Sequence, residues 1–250
     1  MEIPSSMLSR HLEQTGSIVK IDMGNDSIWL KKASKPHSRF RYTVLGALST
    51  ALDLEVLSPI PNPGGTASLY NEVVKINHLH KLGFKVPKII EIGNNFLLLE
   101  DIGKDLCFVL SAEQHRDLRH HITENVFLEL LRLHRNGLCL SQAFGRNIII
   151  SNNMNVGFID FEDVPEAHLT KTKTQARDVL LLLFSICHYF RKSDEVFHEI
   201  VARFIGDSST SVRAEIHHTI ERLAWILKVP AFINPGADYH RLRQMLSVLS

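Results

Sequence analysis

Residues 133–165 read LHRNGLCLSQAFGRNIIISNNMNVGFIDFEDVP, and this stretch decides the fold. A helical pattern ends near Gly137, a loop follows, and Asn147 opens the short β-rich run NIII. Two further asparagines, at 152 and 153, predict a turn into a second run, VGFID, which ends at Asp160. The stretch therefore predicts a small hairpin with an amide at its start and a carboxylate at its end.

An amide and a carboxylate that a hairpin brings together form a site of hard oxygen ligands. Asn147 and Asp160 are the predicted pair. Mg²⁺ suits them because this ion binds few protein ligands and completes its octahedron with water and phosphate oxygens. We therefore expect a magnesium site at the end of the hairpin. The alternative is a plain strand-end and turn pair without a ligand.

The chain before this hairpin alternates between strand and helix patterns. Residues 17–32 hold two β-rich runs around turn residues at 24–26, which predicts a β-hairpin. Residues 66–82 carry apolar side chains at steps of three and four, which predicts one main helix. Two short strands are expected within 85–93 and 95–101.

The chain after these strands is mostly helical in pattern. Ser111 and Gln114 fit a capping box, which predicts one long helix running to about Asn136. The apolar run from Val179 to Cys187 is about half the length that a membrane span needs, so it predicts a buried helix. Together, the patterns before and after the hairpin predict an α+β fold.

Composition excludes several classes of protein. The chain has 250 residues, 44% of them apolar and 22% charged, which is typical of a folded globular protein. A net charge of +1 gives no basis for a nucleic-acid partner. The three cysteines are odd in number and far apart, and the N-terminus lacks the apolar core of a signal peptide. We therefore expect a cytoplasmic protein.

With these residues in place, the chain resembles the protein-kinase-like superfamily. The closer resemblance is to its bacterial branch of lipopolysaccharide-core sugar kinases and Bud32/RIO-like proteins. The IDFE run at 159–162 looks like the metal-binding Asp-Phe-Gly turn, and Asn147 matches the catalytic-loop asparagine. Glu72, on the predicted helix, matches the glutamate that pairs with a strand lysine. Lys31 is the candidate for that lysine, with Lys32 as the alternative.

The resemblance also implies a nucleotide site. Residues 97–103, LLLEDIG, look like the strand and hinge that meet adenine, so Glu100 and Ile102 are candidate cofactor-binding residues. Asp178 looks like the buried aspartate that holds the catalytic loop. The implied cofactors are Mg²⁺ and ATP.

The fold that the resemblance implies has two lobes. The N-terminal lobe would span residues 1–101, with the hairpin, an apolar insert at 37–65, the main helix and two strands. The C-terminal lobe would span residues 102–250, mostly helical, with the catalytic-loop hairpin at 139–163. The nucleotide would bind in the cleft between the lobes.

The chain departs from the superfamily's pattern at three places. The catalytic base is usually an aspartate five positions before the metal asparagine, and Gln142 stands there. A carboxamide orients a hydroxyl but does not accept its proton as a carboxylate does. The glycine-rich loop is missing, since one glycine, Gly16, precedes the first predicted strand. Trp29 lies on the same side of its strand as Lys31, where ordinary kinases keep a small residue.

Two functions fit these observations. The first is an atypical Mg-ATP-dependent phosphotransferase in which Lys31 and Glu72 grip phosphates and Gln142 orients the acceptor. That acceptor would be a sugar, a lipid-linked sugar or a protein serine or threonine. The second is a pseudokinase that binds a protein or lipid partner. Retention of both Asn147 and Asp160 favours the first.

Two segments keep two interpretations each. Glu162 and Asp163 either add ligands to the metal site or form a solvated turn. Residues 37–57 join a basic stretch to an apolar run, which fits either peripheral contact with the inner membrane or a helix packed on the N-terminal lobe. Asp53 and Glu55 argue against deep insertion into a bilayer.

Overall fold

A computed structural model describes residues 5–24, 27–33, 54–58, 60–228 and 236–249. Within these ranges the chain forms two small antiparallel sheets and a set of helices that dominates its C-terminal part. The predicted α+β fold, with a small strand-rich lobe and a larger helical lobe, is confirmed.

The N-terminal elements build a four-stranded sheet with the order β1-β2-β4-β3. Helix α1 precedes the sheet, and helix α2 is inserted between its second and third strands. The predicted hairpin and the predicted main helix are both present. The elements are α1 (Ser5–Glu13), β1 (Ile18–Asp22), β2 (Ser27–Lys32), α2 (Gly65–Lys81), β3 (Ile89–Ile92) and β4 (Phe96–Glu100).

The remaining elements build the helical part around a three-stranded sheet with the order β5-β6-β7. The hairpin predicted from residues 133–165 is confirmed as β6 and β7. The elements are β5 (Lys104–Asp105), α3 (Leu106–Ala112), α4 (Arg116–Arg135), β6 (Ile148–Ile150), β7 (Val156–Phe158), α5 (Lys171–Ile186), α6 (Glu195–Asp207), α7 (Thr210–Leu223) and α8 (Ala237–Leu249).

The two faces of the first sheet have different neighbours. Strand alternation points Ile28 and Leu30 to one face, where they form a small apolar cluster that Leu8 and Leu12 of α1 cover. Trp29 and Leu97 point to the other face and belong to the main core of the protein. Helix α1 therefore packs on the face that turns away from the main core.

The predicted long helix to about Asn136 is confirmed as α4, but its predicted start at Ser111 is wrong. Ser111 lies inside α3, where its hydroxyl donates to the Phe108 carbonyl, and α4 begins only at Arg116. The start of α3 is fixed by Asp105, whose carboxylate accepts the backbone N–H of Phe108 at 2.9 Å. The chain thus has two helices where the pattern indicated one.

The end of the apolar insert packs on the helical lobe rather than on the strand-rich lobe to which we assigned residues 37–65. Leu54 and Val56 are buried in the main core, and Arg177 of α5 donates to the Val56 carbonyl at 2.6 Å. Burial of these two side chains removes them from any membrane contact. The rest of the proposed membrane segment, residues 37–53, lies outside the described residues.

The loop before β6 is tied to α5 by a buried carboxylate. Asp178 accepts the backbone N–H of Leu140 at 2.8 Å and contacts His134 Nε2 at 3.1 Å. Burial raises the pKa of Asp178, and the hydrogen bond from His134 opposes that rise. This contact is the one expected of an aspartate that holds the catalytic loop.

No helix in the described part of the chain is long and apolar enough to span a membrane.

A substitution of Gly103, which lies between the two sheets, tests how closely the chain packs there. Its φ is +141°, and a Cβ placed on it would lie 2.4 Å from the Ile150 carbonyl oxygen. We expect Gly103→Ala to lower the free energy of unfolding by about 2 kcal/mol or more, since strain and overlap add. Gly24→Ala is the matched control because its φ is also positive, at +87°, but its Cβ would meet open space. Urea unfolding measures both, and equal losses would contradict the packing described.

Candidate functional site

The candidate site is built around the ammonium group of Lys31, on β2. Lys31 points to the same face of the sheet as Trp29, toward the main core, and only 5% of the residue is exposed. A lysine so buried needs partners, because removing its charge from water is costly. The partners come from two other parts of the chain.

Three carboxylates surround the Lys31 ammonium. Nζ lies 2.5 Å from Glu72 Oε2, on α2, and 2.9 Å from both Asp160 Oδ1 and Glu162 Oε1, in the loop after β7. One oxygen of each acid lies within 4.8 Å of the others. The lysine and glutamate predicted from the order of motifs thus meet the predicted metal-binding aspartate at one point.

The charges of this cluster shift the pKa values of Lys31 and Glu72 and leave it with a negative net charge. Burial alone would lower the pKa of Lys31, but Glu72, Asp160 and Glu162 together outweigh it and raise that pKa. Burial raises the pKa of Glu72, and the neighbouring ammonium opposes the rise. Three carboxylates against one ammonium leave an excess of negative charge, which a divalent cation would neutralise. The oxygen donors present therefore fit the Mg²⁺ that the sequence predicts.

Asn147 and Asp160 face each other across the end of the hairpin. Asn147 Nδ2 donates to the backbone carbonyl of Gln142 at 2.9 Å and to Asp160 Oδ2 at 3.3 Å. Both contacts use the nitrogen of the Asn147 carboxamide, so its oxygen is the atom left for a cation. Asp160 has a φ of +69°, an uncommon conformation for a residue other than glycine, and such outliers are often found at functional sites.

The second interpretation of Glu162 and Asp163, a solvated turn, is wrong. Both residues are buried, with exposed fractions of 8% and 7%. Asn62 Nδ2 donates to Glu162 Oε2 at 3.0 Å and to Asp163 Oδ1 at 2.8 Å. Asn62 Oδ1 also accepts a hydrogen bond from Ser68, in the first turn of α2. Sequence reasoning missed Asn62, because its segment, SPIPNPGG, signals only an irregular loop.

The Gln142 side chain is hydrogen-bonded to a neighbouring acid. Its Nε2 donates to Asp163 Oδ2 at 2.7 Å, so a carboxylate lies directly beside the carboxamide. Burial raises the pKa of Asp163, and the hydrogen bonds from Gln142 and Asn62 oppose that rise. Arg146 Nη2 lies 3.5 Å from Gln142 Oε1 on the exposed side.

The structure distinguishes Lys31 from Lys32, the two candidates for the lysine that pairs with Glu72. Lys31 reaches the acids, whereas Lys32 points to the opposite face of β2. There its Nζ donates to the carbonyls of Gln14 at 2.5 Å and of His11 and Leu12 at 3.3 Å, at the end of α1. Lys32 thus satisfies helix-terminal carbonyls. Because α1 packs on this face of the sheet, it forms no flap over the candidate site.

The predicted hinge residues lie between the two sheets. Glu100 ends β4, and Ile102 is buried against β7, with its Cδ1 close to Gly157. Among the described residues, none accepts the backbone N–H of Ile102. The 100–104 segment also lines a groove of about 560 Å³, whose walls do not include Lys31 or Asp160.

Trp29 lies at the hinge end of the sheet face that carries Lys31. Lys20 Nζ lies 5.6 Å from the centre of its ring and 2.7 Å from Asp101 Oδ2. The pKa of Asp101 is lowered because hydrogen bonds from Lys20, the Gly103 amide and the Trp29 indole outweigh its burial. The indole is thus held beside the predicted adenine position.

Solved structures of the protein WbdD are similar to this chain. A crystal structure of WbdD at 2.2 Å resolution matches 94% of this chain and 50% of its own, with 16% identity and a TM-score of 0.50. Another, described as the bifunctional kinase-methyltransferase WbdD, matches with 16% identity, 93% and 47% coverage and a TM-score of 0.49. A third, WbdD with the kinase inhibitor LY294002, matches with 17% identity, 90% and 47% coverage and a TM-score of 0.48.

This likeness shows a shared fold. The prediction of a two-lobed, kinase-like fold is thereby confirmed. The chain spans about half the length of the WbdD chains that it matches. No family model matches the sequence, and no curated protein does.

Removing the Lys31 charge tests the cluster. Lys31→Met leaves Glu72 buried without its cation, and we expect a loss of about 3–5 kcal/mol in the free energy of unfolding near neutral pH. The pKa of Glu72 is already raised in the folded protein, and loss of the ammonium raises it further. The penalty therefore applies at pH values above the folded pKa of Glu72, where that side chain must ionise, and fades as the pH falls toward its unfolded value.

Urea unfolding at several pH values measures this effect. The stability difference between wild type and Lys31→Met should be largest near neutral pH and smaller in mild acid. The double variant Lys31→Met, Glu72→Gln should recover part of the loss at neutral pH, since position 72 then no longer carries a buried carboxylate without its ammonium partner. A difference that is small and independent of pH would mean that Lys31 is not held as described.

Proposed function

We propose that this protein is an atypical Mg-ATP-dependent phosphotransferase with a kinase-like fold. One observation carries the proposal: the ammonium of Lys31 meets Glu72 of α2 and Asp160 of the hairpin loop at a single buried point. That convergence requires three segments that lie far apart in the sequence. A binding surface without phosphate or metal chemistry has no need of it.

Lys31, Glu72 and Asp160 would each have a part in phosphate binding. Lys31 would contact phosphate oxygens while Glu72 keeps its ammonium in place. Asp160 and the oxygen of Asn147 would hold Mg²⁺, which would supply positive charge to the phosphates. The backbone N–H of Ile102 and the carbonyl of Glu100 would bind the adenine edge, as the resemblance implies.

Loss of the catalytic aspartate slows such an enzyme without excluding it. General-base catalysis typically contributes about 10²–10⁴ in rate, whereas phosphoryl transfer depends mainly on positioning and electrostatic stabilisation. Gln142 would orient the acceptor hydroxyl. The acceptor we propose is a sugar, a lipid-linked sugar or a protein serine or threonine. The shared fold with part of WbdD, a bifunctional kinase-methyltransferase, supports kinase chemistry but names no acceptor.

A pseudokinase is the second candidate, and Trp29 favours it. The indole lies beside the predicted adenine position and is held there by Asp101 and Lys20. A bulky ring fixed at this place competes with a purine for the same space. In that case the fold would present a surface to a protein or lipid partner and would not turn over ATP.

Thermal unfolding with Mg-ATP separates the two candidates. A ligand at about 100 times its Kd adds roughly 2.7 kcal/mol to stability, so the wild type should melt at a clearly higher temperature with Mg-ATP. Asp160→Asn should abolish the Mg²⁺-dependent part of that rise, because a neutral amide binds a divalent cation far more weakly than a carboxylate. ATP with a chelator provides the metal-free reference.

Asp207→Asn is the matched control, since Asp207 is exposed at the end of α6 and has no part in the site. This variant should keep the full Mg-ATP effect. A wild type that does not respond to Mg-ATP leaves the pseudokinase as the function. An Asp160→Asn variant with an unchanged response removes Asp160 from the metal site.

A further inference from the structure

Asp163 is held rigidly against the catalytic loop. Its Oδ2 accepts from Gln142 Nε2 at 2.7 Å and its Oδ1 accepts from Asn62 Nδ2 at 2.8 Å. Its backbone carbonyl accepts the Ser141 hydroxyl at 2.6 Å, and only 7% of the residue is exposed. Contacts on both carboxylate oxygens and on the backbone fix the position of this acid.

That position dictates which end of the Gln142 carboxamide faces outward. An ionised carboxylate accepts hydrogen bonds and donates none, so it selects the NH₂ end of the amide. The carbonyl oxygen Oε1 is therefore turned away from Asp163, to the exposed side near Arg146. Without Asp163, only the 3.5 Å contact from Arg146 Nη2 would favour this orientation, so the amide would be held less strongly with its oxygen outward.

We propose that Gln142 and Asp163 form one unit that replaces the missing catalytic carboxylate, an inference that rests on the proposed function. Asp163 is the positioning residue, and Gln142 Oε1 accepts a hydrogen bond from the acceptor hydroxyl. In the transfer, the acceptor oxygen bonds to the γ-phosphorus while the bond from that phosphorus to the departing diphosphate breaks. The hydroxyl proton passes to solvent water, because an amide oxygen does not retain it.

The pair suggests an exchange experiment. Gln142→Asp alone would place two carboxylates at neighbouring positions, where like charges repel. The exchange variant, Gln142→Asp with Asp163→Asn, keeps one carboxylate and one amide at the two positions but moves the acid to the catalytic loop. The carboxylate then stands where it accepts the proton itself.

The readout is steady-state hydrolysis of Mg-ATP, with water as the acceptor. Asp163→Ala should lower kcat about ten-fold or more while KM for Mg-ATP stays within about two-fold, since phosphate binding is left intact. The exchange variant should exceed wild type in kcat by about ten-fold or more, and Gln142→Asp alone should gain much less. Asp207→Asn, far from the pair, should match wild type.

The outcomes distinguish this inference from the proposed function. If wild type does not bind Mg-ATP in thermal unfolding, the proposed function fails and the inference fails with it. If wild type binds Mg-ATP but the exchange variant gains no hydrolysis, or gains no more than Gln142→Asp alone, the inference fails and the proposed function stands. If Asp163→Ala does not fold, the comparison of exchange and single variants still decides, because both retain a polar side chain at position 163.

Discussion

The contact of the Lys31 ammonium with Glu72, Asp160 and Glu162 is the constraint on which the rest of the site depends. A buried lysine is stable only while its charge is compensated, and the three acids come from α2 and from the loop after β7. The cluster therefore forms only when the sheet, the inserted helix and the hairpin keep their positions relative to one another. The excess negative charge that results is what makes the site suitable for a divalent cation.

A second set of contacts keeps that cluster assembled. Asn62 ties the connector before α2 to the acids after β7, and Asp178 ties the loop before β6 to α5. Asp163 belongs to both neighbourhoods, since it contacts Asn62 on one oxygen and Gln142 on the other. Gln142, which stands where the superfamily usually has an aspartate, is thus still next to a carboxylate, which comes from the loop after β7.

Local pattern and motif order were sufficient for part of this account. Turn residues and β-rich runs predicted the hairpin that carries Asn147 and Asp160, and apolar spacing predicted α2. The choice between Lys31 and Lys32 could not be made, because adjacent residues on a strand face opposite sides and the sequence does not say which side is the cleft. Asn62 was not predictable, since its contacts link residues a hundred positions apart. The break before α4 was missed because a capping pattern at Ser111 competed with the Asp105 cap.

A crystal structure with Mg²⁺ and a non-hydrolysable ATP analogue would show whether the Lys31 cluster binds a metal and phosphates. We expect a metal ion bound to Asp160 and the oxygen of Asn147 at about 2.0–2.1 Å. We also expect that Lys31 contacts a phosphate oxygen while keeping Glu72 as its partner. A structure in which the analogue is absent from this cleft, with Lys31 still bound to Asp160 at saturating ligand, would contradict these expectations.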